Sequence, residues 1–138
     1  MTEHDEQVAV VDWLFSQSGK YPELDLAFAV PNGAMLGGGR IGAIRANLLK
    51  AEGMRPGAPD LVIPSARGGY FGVFLEMKTK TGKLSENQEQ FIVQAEKQGY
   101  MCFVAYGADE AIEMLEGYLK KPYTKDIIQR ILRERNTQ

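Results

Sequence analysis

The sequence predicts an α/β fold in which a mixed central sheet is flanked by helices, and three observations lead there. Two short apolar runs, residues 59–64 and 70–78, are rich in Val, Ile, Leu and Phe and bounded by Pro or Gly, so each reads as a strand. Between them, Ser65-Ala66-Arg67-Gly68-Gly69 has the composition of a turn, which makes the pair an antiparallel hairpin. A third apolar run, residues 100–106, follows a helix-patterned stretch, and strand, helix, strand in that order permits a right-handed crossover to a parallel neighbour. Antiparallel and parallel pairing in one sheet argues against an all-parallel dinucleotide fold.

The flanking elements follow in order. Val8, Val11, Leu14 and Phe15 recur at the helical period and predict a helix over 5–17, widened by Ala9 and Trp13. Glu6 falls at the edge of that face. It either points toward a cleft or complements the helix dipole from the first turn. Residues 24–30 predict a short strand ended by Pro31-Asn32-Gly33. The glycines at 37–39 match neither a Gly-x-Gly-x-x-Gly fingerprint nor a phosphate loop ending in Gly-Lys-Ser/Thr, which weakens a nucleotide-hydrolysing reading. Helical spacing resumes over 41–52 through Ile41, Ile44, Leu48 and Leu49. Arg40, Asn47 and Lys50 lie on its polar side, where they either contact a nucleic-acid backbone or are simply solvated.

Beyond the hairpin, Ser85 and Gln88 stand in a Ser-x-x-Gln capping pattern that opens a helix over 86–98 with Phe91, Ile92 and Ala95 inward. Capping alone accounts for both residues. Gly107 precedes a helix near 109–119. After Pro122, Ile127, Ile128, Ile131 and Leu132 form the apolar side of a last helix that covers the core, pairs subunits or presents its basic side to phosphate. The expected organisation is one domain over 1–138, with 120–138 as a C-terminal helical extension.

Composition narrows the class. The chain has 138 residues, 44% of them hydrophobic and 25% charged, and no apolar run long enough to cross a membrane. With no signal-peptide pattern and a single cysteine, Cys102, which reads as strand packing, a reducing intracellular setting is expected. The net charge of −2 lacks the excess of an avid, nonspecific nucleic-acid binder. Its distribution is uneven: residues 1–19 carry four acidic side chains and no Lys or Arg, whereas residues 120–135 carry six Lys or Arg against two acidic. His4, near the start of the chain, belongs to no defined constellation and reads as exposed and incidental.

The hairpin carries the chemistry. A turn centred near Arg67 or Gly68 brings Asp60 opposite residues 74–76, close to Glu76, while strand alternation puts Glu76 and Lys78 on one face and Met77 on the other. Opposed Cβ atoms in such a pair are roughly 5 Å apart, from which two carboxylates can share one hard cation. A solvent-facing Glu-Lys pair at a strand end is the plainer reading of the same spacing.

Pro59-Asp60, Glu76-Met77-Lys78, the upstream Glu6-Gln7 on a first helix, and Ser85 with Gln88 after the hairpin together resemble the VRR-NUC family of the PD-(D/E)xK nuclease superfamily over roughly residues 3–115. The resemblance implies a restriction-endonuclease-like fold and a divalent-metal-dependent nuclease using Mg²⁺ or Mn²⁺. Asp60 and Glu76 would be metal ligands, joined by the Met77 backbone carbonyl, with Glu6 the best additional ligand or a member of the water network. Lys78 would position or activate water, and Gln88 would orient the site or contact phosphate. Lys80 joins Arg40, Asn47 and Lys50 as an expected nucleic-acid contact. Small stand-alone members of the family also imply a homodimer acting on branched DNA such as four-way junctions, in repair or recombination, in a bacterial cytoplasm or nucleoid or encoded by a phage. An RNA nuclease or phosphodiesterase using the same ion, and a noncatalytic nucleic-acid-binding or assembly module, are the competing accounts.

Overall fold

The computed structural model describes residues 1–31 and 37–137, with residues 126–128 in backbone only. Asn32 and Gly33, expected to end a strand, lie outside the described residues, as do the side chains of Ile127 and Ile128. Chain order gives α1 (Glu3–Ser16), a 3-10 turn (Pro22–Leu26), β1 (Phe28–Ala29), α2 (Gly39–Ala51), β2 (Leu61–Ile63) and β3 (Val73–Lys78). There follow α3 (Glu86–Lys97), β4 (Met101–Tyr106), α4 (Ala108–Leu119) and α5 (Lys125–Asn136).

The four strands form one sheet in the order β1-β2-β3-β4, antiparallel at the first two pairings and parallel at the third. The expected hairpin and crossover are both present. Leu61 pairs with Leu75, a register that carries Asp60 to the position facing Glu76. Odd-numbered residues of β3, namely Val73, Leu75 and Met77, point into the core with Leu61 and Ile63 of β2 and meet Val10 and Leu14 of α1 and Leu115 and Tyr118 of α4. On the other face Phe74 meets Phe91 of α3 edge to face, ring centres 5.2 Å apart. Cys102 is half-buried in β4 as strand packing, and burial pushes its thiol up to about 11.

One of these expectations changes. The strand expected over 24–30 survives only at Phe28–Ala29, because Pro22 opens a 3-10 turn that rotates Leu24 into the core and leaves Leu26 and Phe28 in solvent. The expected helix over 41–52 is present as α2, and its apolar stripe faces solvent. Ile41 is 63% exposed, Ile44 and Leu48 are exposed too, and Gly42 is the helix's buried residue.

The far end of the hairpin is clasped by the chain that follows α4. The Arg67 guanidinium lies between the rings of Tyr21 and Tyr123, 5.0 and 4.1 Å from their centres. It donates to Ser65 Oγ, the Lys121 carbonyl and Glu23 Oε1, the last at 2.7 Å. The Gly68 N–H donates to the Pro122 carbonyl and the Thr124 N–H to that of Ala66, so residues 121–124 bracket the turn.

Candidate metal centre

α1 begins two residues before its apolar period suggests, because Thr2 Oγ accepts the Asp5 N–H while the Asp5 carboxylate accepts that of Thr2. This reciprocal cap makes Glu3 the first helical residue. It also places Glu3 at the end of the sheet where Asp60 and Glu76 emerge. One carboxylate oxygen from each of Glu3, Asp60 and Glu76 lies within 4.8 Å of the other two. Asp60 and Glu76 are buried, at 6% and 3% exposure, whereas Glu3 is open to solvent.

Each buried carboxylate is tied down. Asp60 Oδ2 accepts the Met77 N–H at 2.8 Å, and the Asp60 carbonyl accepts the Val30 N–H, so this residue links β3 to the segment after β1. Glu76 Oε1 accepts from Gln88 Nε2 at 3.2 Å and lies 3.9 Å from Lys78 Nζ. Gln88 therefore does two jobs at once: its Oε1 accepts the Ser85 N–H as the reciprocal half of the α3 cap, and its amide nitrogen steadies Glu76. Gly57 permits that docking. With φ of +85° it runs against the start of α3, where a Cβ would collide with the Asn87 backbone and come 2.8 Å from the Gln88 nitrogen.

Burial, and then the neighbouring Asp60 carboxylate, push Glu76 up to about 8, with Lys78 pulling the other way and Glu3 adding to the rise. Without a cation, Glu76 thus favours its protonated form near neutral pH. An all-oxygen set of three acids in which one must be neutralised fits a hard divalent ion, which would replace that proton.

The structure brings together Asp60, Glu76, Lys78 and Gln88. Glu6 is placed differently: its carboxylate accepts the N–H of Ala108, capping α4 from across the fold, and it stands beside rather than within the donor triad. The acid that α1 contributes to the triad is Glu3, which the apolar periodicity passed over; the Thr2-x-x-Asp5 capping pattern is the signal that finds it. The Met77 side chain is fully buried in the core, and its N–H serves Asp60. Lys80 is exposed and lines a cavity of about 490 Å³ with Lys78 and Glu3. Arg40, Asn47 and Lys50 are exposed on α2, and no α2 residue is among the described lining of that cavity or of the one of about 310 Å³ that holds Asp60, Glu76 and Gln88. His4 is exposed. No helix among the described residues is long and apolar enough to cross a membrane.

Comparison with known proteins agrees with this fold. A solved structure described as a VRR_NUC domain protein superposes with a TM-score of 0.72 at 29% identity, over 89% of this chain and 92% of its own. No curated protein matches the chain in sequence. The family model of the VRR-NUC domain matches residues 1–109, most of the chain and every residue of the acidic triad, and the protein belongs to that family of nuclease-type domains.

Proposed function

We propose that the protein is a divalent-metal-dependent endonuclease that hydrolyses phosphodiester bonds in DNA, with branched DNA such as a four-way junction the preferred form. The observation that supports this best is the convergence of Glu3, Asp60 and Glu76 within 4.8 Å, beside the Lys78 ammonium. Glu3, Asp60 and Glu76 would hold Mg²⁺ or Mn²⁺, with the Met77 carbonyl a further donor. When bound, that ion would polarise a phosphoryl oxygen and acidify water.

The chain's own residues supply the rest. Asp60, fixed by two backbone hydrogen bonds, and Glu76, held by Gln88, present oxygens whose positions need little rearrangement, so the site is organised before substrate arrives. Lys78, whose side chain is 15% exposed, offers a cation to the charge that develops on phosphorus. Lys78 thus acts by stabilising that charge and positioning the reacting groups. Glu6 holds the start of α4 beside the cavity and serves the water network from there. Arg40, Asn47, Lys50 and Lys80 would meet the nucleic-acid backbone. A homodimer would supply two such centres for cuts on opposing strands.

The test is cleavage of linear, flapped and four-way DNA and of matched RNA by wild type, Glu76→Ala and Lys78→Ala, with Mg²⁺, Mn²⁺ or EDTA. Wild type should cut DNA only with the ion, and both variants should lose cutting while staying folded. Undiminished cleavage in EDTA would remove the ion from the chemistry, and a preference for RNA would overturn the substrate.

A further inference from the structure

Beside the acidic triad, on its β4 side, lies the cavity of about 490 Å³, a volume that admits a nucleoside. Glu3 and Lys78 line both it and the cavity of about 310 Å³ on the side of Asp60 and Gln88. The two hollows therefore meet at the triad, and a strand with one phosphate at that junction runs into both. Each is lined by three carboxylates and two cations, on the β4 side Glu3, Glu6 and Asp109 with Lys78 and Lys80, so the β4-side hollow has no excess of positive charge to draw a second phosphate. The other hollow sets Arg55 beside the triad, which suits the continuing backbone. What the β4-side hollow offers is a ring. Tyr106 ends β4 and pairs in register with Lys78, so its side chain shares the sheet face of Lys78 and Glu76, and it is 42% exposed.

We infer that Tyr106 is the base-stacking platform of this site: it receives one nucleobase next to the phosphate at the triad, and the protein selects strands in which that base is unpaired. The inference rests on the nucleolytic reading above and deepens it. A neutral, flat group gains contact with the ring and is not repelled by the three carboxylates. A base inside a duplex already stacks on its neighbours and cannot reach the ring without being unstacked, so frayed ends, flaps and junction crossovers are favoured over continuous duplex. Stacking is indifferent to base identity, so the selection is for strand form rather than sequence.

The experiment measures binding in Ca²⁺ of a short thymidine oligonucleotide and of a baseless tetrahydrofuran chain of the same length, by wild type, Tyr106→Ala and Tyr106→Phe. Loss of one stacked base corresponds to roughly a tenfold weakening, expected for Tyr106→Ala on the thymidine strand alone. On the baseless chain Tyr106→Ala should match wild type, and Tyr106→Phe should match wild type on both. Equal weakening on the two chains, or none on the thymidine strand, overturns the inference; thermal melting checks that the variants are folded. Cleavage by wild type in Mn²⁺ is scored separately, so an inactive but base-selective protein would sink the nucleolytic reading and leave the stacking platform standing.

Discussion

The proton that burial favours on Glu76 makes ion binding depend on pH. Glu76 is pushed up to about 8 by burial and by Asp60, so near neutral pH a divalent ion must displace a proton to use it. For a single competing proton of that pKa, affinity for Mn²⁺ should rise about 25-fold between about pH 6.5 and about pH 8.5, with close to one proton released per ion at the lower value and about a quarter at the higher. Calorimetric titration in buffers of different ionisation heat measures both quantities. Glu76→Gln removes the titrating group, so its weaker affinity should lose most of this slope. Affinity that stays flat over the interval, or ion uptake without proton release at the acid end, would refute the reasoning.

The stability of the ion-free protein carries the same signature with the opposite sign. The folded pKa of Glu76 lies above its unfolded value, so the folded state binds the proton more tightly. The contribution is therefore fully present below the unfolded pKa of about 4.5 and is lost as pH rises through about 8. Adding Mn²⁺ should restore stability most strongly at the alkaline end of that window.

Three further outcomes follow from individual contacts. Glu3→Gln should weaken Mn²⁺ by roughly tenfold while leaving the melting temperature of the ion-free protein unchanged, because Glu3 is exposed and its loss empties no buried space; calorimetry and thermal melting read the two. Ser85→Ala removes only the α3 cap, about 1 kcal/mol, whereas Gln88→Ala removes its half of the cap and the support of Glu76. Chemical unfolding should therefore find the two variants comparable, while cleavage assays find Gln88→Ala the slower enzyme. Arg67→Met leaves the half-buried Glu23 carboxylate to the Ser65 and Tyr123 hydroxyls and should cost about 2 kcal/mol in urea unfolding, the scale of a lost charge-assisted hydrogen bond.

Asp60, Glu76 and Lys78 could be placed from the sequence because a single local geometry governs them. A turn of known extent sets the register of the hairpin, and alternation sets the face, so three side chains are located by two rules. Gln88 was equally accessible as a cap, but its second hydrogen bond depends on Gly57 letting α3 dock close to β3, and no local pattern announces that contact. Glu3 was hidden because a helix start read from its apolar stripe begins at the first buried turn, while the first turn of α1 is polar. Glu6 caps a helix about a hundred residues further along the chain, a long-range pairing to which periodicity is blind. For α2 the pattern located the helix, but spacing identifies an apolar face without saying whether this chain covers it.

Arg67 and its neighbours bear on where the chain may be cut. The carboxylates sit at one end of the hairpin, and the turn at the opposite end is laced to Lys121, Pro122 and Thr124. The family match stops at residue 109, yet Leu115, Tyr118 and Leu119 fill the core and the lacing lies further on. A protein shortened to the matched region would keep every ion-binding side chain and still leave its scaffold unfastened. One ending just after Thr124 would retain the fastening, which makes residue 124 the natural boundary of the smallest unit able to hold the site in shape.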